Sequence, residues 1–192
     1  MIKKIPNILT TFRAIAAPLF FVFFVYNTRE FVLLSTIVFA VAAFTDFFDG
    51  YLARRMNATS EWGAFVDPLA DKFLTTSAFI AFVIIKLVPL WMVVIVLLRD
   101  FLTTMMRLIK ISNKKIKTSK IAKIKTTLQM IFIYLLLLLY TIYLNSKGNT
   151  AIFLKNIIYS DYVYYSMLFI TIFAIISLID YLYQLLSPEL NE

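Results

Sequence analysis

Thr45–Lys72 reads TDFFDGYLARRMNATSEWGAFVDPLADK and carries four aspartates, Asp46, Asp49, Asp67 and Asp71, between long apolar runs. Charge at the centre of a bilayer is costly, so acids at such depth are paired, bind metal or face a wet cavity. Asp46 and Asp49 are three residues apart and Asp67 and Asp71 four apart, spacings that place each pair on one face of a helix. Asn57–Ser60 is a short polar turn, which makes the two helices antiparallel neighbours and lets the acid pairs face each other. Four carboxylates converging in a low dielectric repel, and some stay protonated unless cations intervene. One or two divalent ions resolve that repulsion, and two ions in a carboxylate cluster are a recurrent device for displacement at phosphorus. Gly50 and Ala53 leave room for a ligand near the helix, and Arg54 offers a planar fork suited to phosphate. The plainer alternative pairs the acids with Arg54, Arg55 and Lys72 at a helix end. That accounts for one aspartate, not for four at matched spacing.

Composition agrees with a lipid environment. The 192 residues are 61% hydrophobic and 17% aromatic, with a mean hydropathy of +0.85, against roughly 45–50% apolar in soluble domains. This reads as a single all-α integral membrane domain over residues 1–192. No cysteine and no histidine occurs, which excludes disulfides, thiolate metal sites and a serine–histidine triad. Chemistry must then use carboxylates, Lys, Arg, Tyr or hydroxyls, and a bound metal would be a hard ion such as Mg²⁺ or Mn²⁺ rather than zinc. The formal net charge of +8 is read as orientation and anionic-lipid contact, not nucleic-acid binding.

In chain order, Met1–Leu9 resembles the basic front of a signal peptide, but Arg13 interrupts the apolar run and no cleavage site follows. We expect a short interfacial amphipathic segment there, then six transmembrane helices over about 7–27, 31–56, 61–86, 89–111, 121–144 and 161–186, at roughly 20 residues per crossing. Pro68 is expected to kink the third span, since a start at Asp67 would leave Trp62–Val66 as apolar loop. Residues 112–120 form a basic loop and 145–160 a longer one. This layout places fifteen of the nineteen Lys and Arg residues on one side, leaving only Arg29, Lys86, Lys147 and Lys155 on the other. The acidic stretch and both termini therefore face the cytoplasm, in a multi-pass protein of the cell membrane.

The pattern D-x-x-D-G-x-x-A-R-x8-G-x3-D-x3-D, carried by Asp46, Asp49, Gly50, Ala53, Arg54, Gly63, Asp67 and Asp71, resembles the signature of the CDP-alcohol phosphatidyltransferases. The six-span layout with an amphipathic start is also similar to that family. The resemblance implies that Asp46, Asp49 and Asp67 ligate two ions, Mg²⁺ or Mn²⁺, with Asp71 a shared ligand or the general base. It implies that Asp49, Gly50, Ala53, Arg54 and Gly63 accommodate the CDP-lipid. An alcohol hydroxyl would attack the lipid-linked phosphorus, and CMP would leave. A homodimer is implied by the resemblance alone.

Three further stretches, Pro6–Arg13, Arg99-Asp100 with Arg107, and Lys120–Met130, resemble the bacterial phosphatidylglycerophosphate synthase branch. Ala122 stands where that branch often has glycine. Arg107, Lys123 and Lys125 gather positive charge near the cytoplasmic mouth, suited to an acceptor with its own phosphate, such as sn-glycerol 3-phosphate. The expected reaction joins that acceptor to CDP-diacylglycerol, giving phosphatidylglycerophosphate and CMP. Lys114, Lys115, Lys117 and Lys120 read as solvated orientation signals, and Arg13 and Arg99 as deeper cations that either serve the site or pair with an acid such as Asp100. The alternatives are the same chemistry on inositol phosphate, serine or phosphatidylglycerol and, more distantly, a cation transporter. A transporter would spread its acids across membrane depth or over two inverted halves, whereas these cluster at one end of adjacent spans.

Overall fold

The computed structural model describes the backbone of residues 5–56, 61–108 and 120–186, and the side-chain surroundings of residues 11–45, 72–106 and 121–184. The chain there is built from α1 (Ile5–Tyr26), α2 (Arg29–Met56), α3 (Glu61–Ile84), α4 (Leu90–Leu108), α5 (Lys120–Asn145), α6 (Gly148–Ile158) and α7 (Asp161–Leu186), with no strand among the described residues. Helices are what lipid demands, because each satisfies its own backbone hydrogen bonds.

The connections follow from local chemistry. Asn27 adopts φ 54°, and its amide donates to the Phe24 carbonyl at 3.1 Å. Thr28 opens α2, its carbonyl accepting from the Val32 amide at 2.9 Å. After α3 the Lys86 amide reaches the Val83 carbonyl at 3.0 Å and the Leu87 amide reaches Phe82 at 2.8 Å. With Lys86 at φ 60°, this is a Schellman ending, and Leu87 and Phe82 supply its apolar contact, both buried. Pro89 then stops any continuation.

α1 packs against both α2 and α3, α4 and α5 both pack on α7, and α5 also touches α2. The centre is aromatic: Phe20 and Phe24 stack at 5.5 Å, Phe20 meets Phe39 of α2 at 5.3 Å, and Phe24 meets Phe82 of α3 at 5.5 Å and Tyr140 of α5 at 5.6 Å. Outside this core the usual arrangement of a soluble protein is inverted. Phe12, Ile15, Leu19 and Val22 form an exposed stripe on α1, while Arg13, Ala16, Ala17 and Phe20 face inward. On α7, Phe169, Ile172, Ile176 and Ile179 are exposed and Thr171, Ala174 and Ser177 are buried. An apolar exterior around a partly polar interior is the pattern of a bundle solvated by lipid.

Two stretches of the described residues, Ile121–Asn145 and Gly148–Gln184, are long and apolar enough to cross a membrane, whereas the described apolar parts of α1 and α3, Thr11–Tyr26 and Lys72–Ile84, are shorter. Three expectations change or sharpen. The segment over residues 1–9 is not set apart, since from Ile5 onward it is the start of an unbroken α1; residues 1–4 lie outside the described residues. α3 begins at Glu61 and runs through position 68, so it does not start at Asp67. The loop expected over 145–160 contains the 11-residue helix α6. Polar Asn145–Thr150 conceals it in the sequence, yet Leu154 and Ile158, one turn apart, are both buried. At about 1.5 Å per residue it is too short to span a core of about 30 Å. The turn at 57–60 and residues 112–119 of the basic loop expected over 112–120 lie outside the described residues, and Lys120 is the first residue of α5.

Candidate active site

Asp46, Asp49, Gly50, Ala53 and Arg54 all fall within the continuous helix α2, and Gly63, Asp67 and Asp71 within α3. The three- and four-residue spacings therefore are helical spacings, as expected. The side chains of these residues lie outside the described ones, and so does that of Arg107 near the end of α4. Their donor chemistry fits a hard divalent cation, being all carboxylate oxygen in a chain without histidine or cysteine. Among the residues whose side chains are described no group of three or more acids is placed to hold a metal.

Lys72, next to Asp71 on α3, borders a buried ionic cluster. Asp100 of α4 is 3% exposed. Its Oδ1 accepts from Lys125 Nζ of α5 at 2.6 Å and from Arg99 Nη1 at 2.9 Å. Lys72 Nζ of α3 lies 4.0 Å from its Oδ2. The other Arg99 amino group donates to Ser177 Oγ of α7, and Lys125 also donates to Gln129 Oε1. Thr103 and Thr104, one turn along α4, donate their hydroxyls to main-chain carbonyls at 99 and 100, which keeps these hydroxyls satisfied away from water. Groups from α3, α4 and α5 thus meet at one carboxylate, and α7 is joined to it through Arg99. Among the described residues three cations, Arg99, Lys125 and Lys72, stand around the Asp100 carboxylate.

The two lysines assigned to the acceptor occupy different environments. Lys123 is exposed, and Lys125 is fully buried at 0%. Two residues on a helix point about 200° apart, which is why one reaches the surface and the other the interior. The Arg99–Asp100 pairing was one of the two readings open for Arg99. The parts played by Gln129 and Ser177 were not visible beforehand. The available signals were weak: Gln129 sits four residues after Lys125, and Ser177 is a lone hydroxyl in an apolar helix. Arg13 is buried on α1. Asp180 accepts from Gln184 Nε2 at 3.1 Å within α7.

The CDP-alcohol phosphatidyltransferase family model matches residues 3–172. With this extent and the aspartates carried on two successive helices, the chain belongs to the CDP-alcohol phosphatidyltransferase family and is an enzyme of that type. Its curated relatives point to one branch. CDP-diacylglycerol–glycerol-3-phosphate 3-phosphatidyltransferase of Bacillus subtilis (strain 168) is 40% identical over 107 residues, 55% of each chain. The protein of the same name from Wigglesworthia glossinidia brevipalpis is 34% identical over 161 residues, 81% of this chain and 88% of the relative. That from Rickettsia bellii (strain RML369-C) is 35% identical over 178 residues, 91% of this chain and 90% of the relative.

Proposed function

We propose that this chain transfers the phosphatidyl group of CDP-diacylglycerol to sn-glycerol 3-phosphate, giving phosphatidylglycerophosphate and CMP. The observation that carries the acceptor assignment is the similarity, over 81% and 91% of this chain, to relatives named for that acceptor. The three cations gathered where α3, α4 and α5 meet, Lys72, Arg99 and Lys125, support it, because this acceptor brings its own phosphate and a neutral polyol would not.

In the proposed mechanism Asp71 accepts the proton of the acceptor's primary hydroxyl. The freed oxygen attacks the lipid-linked phosphorus, a new P–O bond forms, and the bond to the CMP oxygen breaks. Arg54 offers a fork to the diphosphate, while Gly50, Ala53 and Gly63 leave room beside the helices for the cytidine. Arg107, Lys123 and Lys125 supply charge for the acceptor phosphate. Asp46, Asp49, Asp67 and Asp71 would hold one or two Mg²⁺ or Mn²⁺ ions, which supply neutralisation of the charge that builds on the departing CMP.

The same reading takes the whole chain as one membrane domain crossing the bilayer six times. The acidic helix ends and both termini face the cytoplasm, and two copies associate. The orientation rests on the charge asymmetry, the membrane domain on the apolar exterior of the bundle, and the pairing of two copies on the family resemblance alone.

The test supplies purified protein, Mg²⁺ and CDP-diacylglycerol with a choice of labelled alcohols and follows CMP release. Glycerol 3-phosphate is expected to be used, and Asp71→Asn to slow turnover by about 10²–10⁴-fold, the usual worth of a general base. Turnover with another alcohol and none with glycerol 3-phosphate would refute the acceptor; full activity of Asp71→Asn would refute the base.

A further inference from the structure

Asp100 lies outside the eight-position aspartate pattern, yet its carboxylate stands between α3 and α5, the helices that carry the proposed base and the proposed acceptor lysines. Lys72 follows Asp71, the proposed base, along α3. Lys125 lies two residues beyond Lys123 on α5, the helix proposed to hold the acceptor phosphate. One carboxylate faces both: Oδ1 accepts from Lys125 Nζ at 2.6 Å, and Oδ2 stands 4.0 Å from Lys72 Nζ, an ion pair without a hydrogen bond. Arg99 fixes that carboxylate from its own helix at 2.9 Å and is itself held by Ser177 of α7. Oδ2 is buried and makes no hydrogen bond, which is uncommon for a carboxylate oxygen and calls for a reason beyond packing.

Resting on the acceptor reading above, we propose that Asp100 is a positioning residue for the acceptor: it sets where the Lys125 ammonium stands relative to α3, and so the distance between the acceptor's phosphate and the base that must reach its hydroxyl. A carboxylate placed only to offset buried cations would need the charge and not the exact reach. The charge-assisted bonds that Oδ1 accepts, at 2.6 Å from Lys125 and 2.9 Å from Arg99, fix geometry as well as energy, and a displacement of about an ångström in a substrate-holding group is enough to matter for rate.

Two substitutions separate the roles. Asp100→Asn removes the charge. Asp100→Glu keeps it and moves the carboxylate outward by one methylene. Steady-state kinetics with CDP-diacylglycerol, Mg²⁺ and glycerol 3-phosphate are measured on folded, detergent-solubilised enzyme. Asp100→Glu is expected to raise the KM for glycerol 3-phosphate about fivefold or more, and Asp100→Asn tenfold or more, with the KM for CDP-diacylglycerol within twofold of the unsubstituted enzyme. Where Asp100→Asn fails to fold, Ser177→Ala takes its place, since it frees Arg99 without removing a charge, and a two- to fivefold rise in the same KM is expected. An unchanged acceptor KM in Asp100→Glu and in Ser177→Ala, or equal rises for both substrates, overturns the positioning role. If the unsubstituted enzyme uses another alcohol and not glycerol 3-phosphate, the acceptor assignment fails instead, a result read before any variant is compared.

Discussion

Lys123 and Lys125 are near neighbours in the chain and far apart in circumstance, and their substitutions should part accordingly. Lys123 is exposed and meets no buried acid among the described residues, so Lys123→Ala is expected to raise the KM for glycerol 3-phosphate while leaving thermal unfolding unchanged. Lys125 is bonded to Asp100 and Gln129 in the interior, and Lys125→Ala strips a buried carboxylate of a cation. Breaking such a pair costs about 3–5 kcal/mol, so this variant should lose stability along with acceptor use, which unfolding of the purified protein alongside kinetics would show. Equal stability of the two variants would contradict the burial difference. This contrast also shows what a linear reading reaches. Asp46, Asp49, Asp67 and Asp71 were legible because their relation is local, set by turns of single helices. The bond between Lys125 and Asp100 joins residues 25 apart on different helices, and no periodicity announces it.

Among the elements, the six long helices follow from apolar runs and polar turns that the sequence displays openly. α6 does not, because its buried face consists of only Leu154 and Ile158 within a polar neighbourhood. Association of the long helices rests on van der Waals fit and interhelical hydrogen bonds, lipid being as apolar as the core. Phe24 is the clearest instance, wholly buried with Phe20, Phe82 and Tyr140 around it. Phe24→Ala is expected to destabilise the bundle by about 2–3 kcal/mol, below the usual aqueous range because little transfer from water is lost. A thermal unfolding midpoint in detergent that matches the unsubstituted protein would show that this aromatic centre does not hold α1. Polar ties reinforce the same packing. Thr36 of α2 and Thr141 of α5 share a 2.7 Å bond, and the Tyr140 hydroxyl donates to Asn27 Oδ1 at 2.7 Å, joining the α1–α2 turn to α5.

For the molecule as a whole, the lack of histidine and cysteine leaves carboxylate oxygen as the means of holding a metal. Chelation with EDTA is expected to abolish CMP release, and Mg²⁺ or Mn²⁺ to restore it, while Zn²⁺ restores less because the site offers no nitrogen or sulfur. Activity that survives exhaustive chelation would refute the metal-dependent reading. The unfolding midpoint should rise when Mg²⁺ is added, since an ion that binds only the folded state stabilises it by mass action.

The small helix α6 has a practical consequence for anyone mapping which way the protein lies in its membrane. Because Leu154 and Ile158 are tucked against the bundle, a tag spliced into 148–158 would pry apart packed structure and report on a damaged molecule. Ser146 and Lys147 lie between helices, and Lys147 is exposed, so an epitope or a protease site placed there would leave both neighbours whole. Labelling at that junction, compared with labelling at the C-terminus, would read the sidedness of the chain directly.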